Sequence, residues 1–244
     1  MSETAAKSLS CETRQLLRSA TTATIAGVLY RKGIRRSSIA SIWPVASDTT
    51  NFIGTAYTLR YLPAREDMSP FNYETQSNSP LRVAADNISD GEVLVIDCRG
   101  VTNAGAIGGI LGTRVQVLGG SAIVCDGGLR DIGELSALDI PVFYRDRAPP
   151  GPSASMYAAD VQMPVGCGGV LVFPGDVLVG DEDGVVVIPI AMVDEVARHA
   201  ADHDDLERFI MKRIESGAAA LGTYPPNEET KAAYQEETGK PAHW

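Results

Sequence analysis

Apolar positions change period several times along the chain, and each change predicts an element. Between Thr13 and Lys32, Leu16, Leu17, Ala20, Ile25, Val28 and Leu29 recur mainly at helical spacing, and Gly33 follows where a helix-ending glycine belongs. This predicts a single first helix. Residues 52–62 are β-branched and aromatic with Gly54 as the weak strand former, which predicts a strand. The polar, proline-bearing stretch 63–80 has little period and reads as a surface loop with a mobile tip.

The middle of the chain alternates. Residues 92–98 and 121–125 are continuous apolar β runs, 108–118 is a glycine-started helix, 131–138 a short helix, and 141–144 a further β piece. Continuous rather than alternating runs imply strands covered on both faces, as in layered α/β folds. From 161 to 189 short β pieces are punctuated by Gly168-Gly169, Pro174-Gly175-Asp176 and Gly184, which predicts antiparallel hairpins. A long helix is expected over 191–216, closed by Gly217. The tail, with Pro225, Pro226 and Pro241, is expected to be extended or loosely helical and able to reach a neighbouring subunit. The resulting division is an extension 1–12, one α/β domain 13–217 and a tail 218–244.

With 244 residues and 44% apolar content the chain has ample material for a core. Acids outnumber bases by 31 to 21, a net charge of −10, which argues against a uniformly basic surface and so against direct nucleic-acid binding. Residues 1–60 run the other way, with 3 acids and 8 bases, so a macromolecular partner fits best near the basic cluster Arg31-Lys32-Gly33-Ile34-Arg35-Arg36. Cys11, Cys98, Cys125 and Cys167 form no metal-type cluster and are expected to be reduced. No run of about 20 apolar residues suits a bilayer and no signal-peptide core opens the chain, so the expectation is a cytoplasmic protein without membrane contact.

Two segments carry candidate chemistry. In Asp126-Gly127-Gly128-Leu129-Arg130-Asp131 a strand ends, glycines turn the chain, and a cation stands next to a carboxylate. Arg130 offers a planar fork for a carboxylate and Asp131 hard oxygens for Mg²⁺ or Mn²⁺. The plainer alternative is a helix cap and a surface ion pair. Upstream, Gly108, Gly109, Ile110 and Leu111 open an apolar helix whose first amides form a general anion site, the plainer alternative being close helix–sheet packing. His199 and His203, at i and i+4, suit a metal or, more simply, a solvated helix face.

These strings, together with 21–29, 53–58 and 174–189, resemble the RraA-like family, over roughly residues 13–217. That family includes metal-dependent 4-hydroxy-4-methyl-2-oxoglutarate/4-carboxy-4-hydroxy-2-oxoadipate aldolases, which also decarboxylate oxaloacetate, and the ribonuclease regulator that gave it its name. The resemblance implies a three-layer β/β/α swivelling-type domain, usually a homotrimer or a homohexamer with the site between subunits. It implies that the turn Gly108–Leu111 holds the carboxylate of a small 2-oxo acid, that Arg130 contacts substrate, and that Asp131 binds Mg²⁺ or Mn²⁺. It also implies an acid from the late helix of a neighbouring subunit, for which Asp204 and Glu207 are the positions. Two positions depart from the pattern: Gly109 stands where the aldolases commonly carry an acid, and Gly27 where an aspartate is frequent. The implied activity is cleavage or decarboxylation of a 2-oxo acid. The alternatives are a lyase or hydratase of sugar-derived 2-oxo acids, or a regulator bound to a ribonuclease.

Overall fold

The computed structural model describes residues 9–68, 78–242 and 244. The expected loop tip within 63–80, most of the extension 1–12 and His243 lie outside the described residues.

The first apolar stretch forms two helices rather than one. Helix α1 (Cys11–Arg18) is capped by Ser10, whose hydroxyl accepts the Thr13 amide at 3.0 Å. Thr21 is extended and caps α2 (Thr22–Arg31), its hydroxyl accepting from the Thr24 amide at 3.1 Å, while Asp181 accepts from both the Thr22 amide and hydroxyl. The hydroxyls around residue 21 start a helix rather than continue one, which corrects the single helix expected there.

Among the described residues, eight strands form one sheet in the order β1 (Trp43–Pro44), β6 (Val142–Tyr144), β4 (Ala122–Cys125), β3 (Glu92–Asp97), β2 (Phe52–Pro63), β11 (Val177–Asp181) and β12 (Gly184–Ile188), with β8 (Met156–Val161) on the far half of β2. Strands β2, β3, β4 and β6 are parallel neighbours, β1, β8 and β11 run against them, and β12, antiparallel to β11, runs with them again. Strand β8 was not expected from the sequence; half of its residues are polar or alanine, so its apolar signal is weak. Helices α3 (Pro80–Asn87), α4 (Gly109–Val117) and α5 (Ile132–Ser136) cross one face, and the hairpin β9 (Val165–Cys167) and β10 (Val170–Val172) covers the other. Two short strands, β5 (Gly128–Leu129) and β7 (Asp146–Arg147), pair in parallel at the rim.

Strand alternation sorts the core. Val93, Val95 and Val124 face the hairpin residues Val165, Cys167, Val170 and Val172, whereas Leu94, Ile96 and Ile123 face Ala84, Val115 and Leu135 of the helices. Beside them Val177, Val179, Val186 and Ile188 pack on α1, α2 and the long helix α6 (Val193–Glu215). Hairpin, sheet and helices make the three-layer β/β/α arrangement. Each fully buried aliphatic side chain in it contributes roughly 1.5–3 kcal/mol.

The tail folds back on its own chain. Asn227 caps α7 (Glu228–Thr238), whose Tyr234 ring packs edge-on against Phe209 of α6, with Lys240 ion-paired to Asp205. Of the extended or loosely helical tail expected, the helical form is seen over Glu228–Thr238, and the Tyr234–Phe209 cluster gives the reason it lies on its own chain: the tail owns an apolar residue that α6 buries. Among the described residues no helix is long and apolar enough to cross a membrane.

Candidate active site

Adjacent parallel strands deliver the two sequence motifs to one place. Ile96 of β3 is in register with Cys125 of β4, so the loops that follow leave the sheet side by side. Buried carboxylates fix their bases. Asp126 accepts the Cys98 amide at 2.6 Å and the Gly168 amide at 3.1 Å, and Asp97 accepts the Arg99 and Gly166 amides at 2.8 and 3.1 Å. Both aspartates therefore tie the loops to the β9–β10 hairpin across the sheet edge. Burial pushes the Asp126 carboxyl above its ordinary value, against the pull of its two backbone donors. The sequence signal for this role was an aspartate directly after a fully buried run and before two glycines; that pattern alone does not say which amides it will meet.

Higher up, backbone bonds lace the loops together. Ala106 donates to Gly128 at 2.8 Å, Gly105 to Pro150 at 2.8 Å, Arg130 to Ile107 at 3.3 Å, and Ala148 to Leu129 at 2.8 Å. The buried Tyr61 hydroxyl donates to the Ala106 carbonyl from below, at 2.8 Å. Helix α4 starts on this frame, with Gly108 as its extended cap. Its first helical bond runs from the Gly112 amide to the Gly108 carbonyl, so the helix leaves the amides of Gly109, Ile110 and Leu111 unused.

Asp131 faces the first of those amides. Its Oδ2 accepts from the Gly109 amide and from Arg130 Nε, each at 3.3 Å. Its backbone is left-handed (φ 55°, ψ 46°), a conformation that costs a non-glycine residue on the order of 1 kcal/mol, and its side chain does not cap α5. The helix-cap alternative is thereby set aside. The ion pair with Arg130 is real, but both side chains are about two-fifths exposed, at 44% and 39%, so it contributes little stability. A Cβ on Gly108 would lie 2.2 Å from Asp131 Oδ2, and one on Gly109 would lie 2.6 Å from the Cβ of Glu134. One on Gly151 would lie 3.3 Å from Arg130 Nη1. Glycines thus make the cradle in which Arg130, Asp131 and Glu134 converge.

The structure therefore brings Gly108, Gly109, Ile110 and Leu111 together with Arg130 and Asp131, which lie about twenty residues further along the chain. Glu134 is the residue that sequence reading passed over. Its place over Gly109 depends on how α5 meets α4, which no local pattern encodes. Among the described residues no three His, Cys, Asp or Glu side chains group as a metal cage. The oxygen donors Asp131 and Glu134, open to solvent, fit a Mg²⁺ or Mn²⁺ ion that keeps most of its waters, since Mg²⁺ is commonly held through only one or two carboxylates.

The remaining candidates lie elsewhere. His203 is buried beside the Trp244 ring and 3.5 Å from Glu207, whereas His199 is exposed and lies nearest Glu195, so the two histidines do not converge, and His203 is not the solvated residue expected. Asp204 pairs with Arg208, and Glu207 accepts from Thr24 at 3.3 Å within the same chain. The four cysteines are free; Cys98, Cys125 and Cys167 are buried, and burial pushes the Cys98 and Cys167 thiols well up. In the basic cluster Lys32 pairs with Glu195, while Arg31, Arg35 and Arg36 are exposed.

Known proteins share both fold and sequence with this chain. The sequence model of the RraA-like family, described as Aldolase/RraA, matches residues 22–187, a range that includes both motifs. A Halalkalibacterium halodurans protein provisionally named a 4-hydroxy-4-methyl-2-oxoglutarate aldolase is 32% identical over 164 residues, 60% of this chain and 78% of its own. A Deinococcus radiodurans protein with the same provisional name is 32% identical over 139 residues, 57% of this chain and 78% of its own. Among solved structures, Streptomyces coelicolor RraAS2, described as an unusual member of the RNase ES inhibitor RraA protein family, aligns with a TM-score of 0.76 at 29% identity, over 85% of this chain and 99% of its own.

Proposed function

The chain belongs to the RraA-like family, and from that premise we propose that it is a carbon–carbon lyase that cleaves or decarboxylates a small 2-oxo acid with Mg²⁺ or Mn²⁺ as cofactor. The observation that carries this reading is the Asp131 carboxylate on the Gly109 amide, beside Arg130 and over a glycine floor, at a helix start whose next two amides, those of Ile110 and Leu111, the helix leaves unused. The provisional aldolase names of two relatives support it.

In this reading the first-turn amides of α4, at the positive end of the helix, receive the substrate carboxylate. Arg130 would present its fork beside them and orient the 2-oxo group, and Asp131 would hold the cation. A bound divalent ion would supply Lewis-acid stabilisation of the enolate charge that develops on the C2 keto oxygen as the C3–C4 bond, one carbon removed from the oxo-bearing C2, breaks. A Schiff base would need a lysine near these loops, and the sequence has none between Lys32 and Lys212. Ile110 and Val117, 87% and 68% exposed on α4 beside the site, support a trimer or hexamer in which another copy covers that face.

The test is pyruvate release from oxaloacetate and from 4-hydroxy-4-methyl-2-oxoglutarate with and without Mg²⁺. Magnesium-dependent turnover is expected; no turnover on a panel of 2-oxo acids, or turnover indifferent to chelator, sinks the reading. A second reading, a regulator that binds a ribonuclease, draws on the description of RraAS2 and on the exposed Arg31, Arg35 and Arg36. It expects a ribonuclease to be retained by the immobilised protein and released when these arginines are changed to glutamine.

A further inference from the structure

We propose that Glu134, reaching across Gly109 from α5, is the second carboxylate of the Asp131 site and positions the bound divalent cation together with its waters. The inference rests on the lyase reading above and deepens it.

Geometry comes first. Glu134 lies three residues after Asp131, in the first turn of α5, and both side chains start against the same point of α4, Gly109. A Cβ placed on Gly109 would sit 2.6 Å from the Glu134 Cβ, 3.1 Å from its Cγ and 3.7 Å from the Asp131 Cβ. The stem of Glu134 therefore fills the space that a side chain on residue 109 would need, and Asp131 borders the same point. The glycine at 109 is required by Glu134. Any larger residue there would displace either the glutamate or the start of α4, because contacts under 3.0 Å are not tolerated between such atoms.

Charge and partnering point the same way. Glu134 is exposed, and among the described residues its carboxylate makes no ion pair or hydrogen bond, whereas Asp131 has Arg130. A carboxylate in that state keeps its lone pairs for solvent or for a ligand. Two carboxylates against one guanidinium leave the rim with a net charge of −1, and a 2-oxo acid brings further negative charge. Anionic substrate and rim are compatible when a divalent cation lies between them. A carboxylate that orients a hydrated cation from beside the direct ligand typically changes metal affinity by 10–100-fold.

The probe is Mn²⁺ alone, added to the full chain without substrate and followed by its electron paramagnetic resonance signal, with thermal unfolding as a check on the fold. Glu134→Gln keeps shape and removes charge, and should weaken Mn²⁺ binding about tenfold or more with an unchanged melting midpoint. Asp131→Asn should remove binding altogether. Gly109→Asp combined with Glu134→Gly moves the carboxylate to the facing helix without the steric conflict, and should recover Mn²⁺ binding relative to Glu134→Gly alone. Glu134→Gln binding Mn²⁺ as the parent does, while Asp131→Asn does not bind, overturns this inference and leaves the lyase reading standing. Mn²⁺ binding indifferent to both changes overturns the two together.

Discussion

Asp126 and Asp131 stand five residues apart on one loop and do opposite work. Asp126 is 3% exposed, and each of its oxygens takes one backbone amide. Asp131 is exposed, strained into the left-handed region, and spends one oxygen on a weak amide contact and a solvent-screened arginine. The first holds the loops to the sheet; the second is held by them. A carboxylate that satisfies backbone donors is part of the scaffold, whereas one that the scaffold holds in strain, with bonding capacity to spare, is available for chemistry.

The strongest way to break this contrast is at Asp131. Asp131→Asn, which keeps the left-handed backbone, should lower turnover on the 2-oxo acid by about 10³-fold, or ~4 kcal/mol of transition-state stabilisation, while the urea midpoint of unfolding stays put. Comparable loss of stability would place Asp131 in the scaffold. Asp126→Asn should do the reverse. One of the two amides loses its acceptor, and unfolding in urea should show a cost of about 2 kcal/mol with turnover per folded molecule preserved.

A smaller effect separates the two by pH. Burial raises the Asp126 carboxyl above its ordinary 3.8, so the folded state holds this proton more tightly than the unfolded one. The stability this group contributes is complete below 3.8 and fades as pH rises through the raised value. The stability gap between the parent and Asp126→Asn should therefore be wider at about pH 3.5 than at about pH 7, by roughly 1 kcal/mol for each unit of upward shift. A gap that widens toward neutral pH would reverse the assignment. Smallest of all is Gly133→Ala. Gly133 lies between the two acids of the rim but has nothing within 4 Å of where a Cβ would go, unlike Gly108. Alanine there should stabilise by about 0.5–1 kcal/mol and leave turnover unchanged, as a melting curve and a rate assay would show.

The sequence carried the site's ingredients better than their arrangement. Arg130 and Asp131 stood out because an adjacent cation and carboxylate after a buried run and two glycines is an unusual local pattern. The β3–α4–β4 succession followed from continuous apolar runs that switch period, and the β9–β10 and β11–β12 hairpins from their glycine turns. What stayed hidden depends on contacts between distant segments. The break before Thr21 is set by Asp181, 160 residues on, which draws the Thr22 amide and hydroxyl. Strand β8 exists because β2 runs on past its pairing with β11, which ends at Thr55, and offers Leu59–Pro63 to a second partner, with Ala159 of β8 bulged out opposite Arg60 and Tyr61. Glu134 gains its meaning from Gly109, and the left-handed turn at Asp131 from the lacing of two loops; neither has a signature at its own position.

That left-handed turn also limits what mutation can do at the site. Of the side-chain-bearing residues, asparagine and aspartate tolerate φ near +55° best, and glycine adopts it freely. An aspartate codon reaches either asparagine or glycine by a single base change. The commonest acceptable replacements at residue 131 therefore preserve the backbone and delete the charge. Descendants of this chain that drift at that codon would keep the folded scaffold and lose the carboxylate. On the lyase reading, a lineage turns from catalysis to binding in one genetic step, without passing through an unstable intermediate.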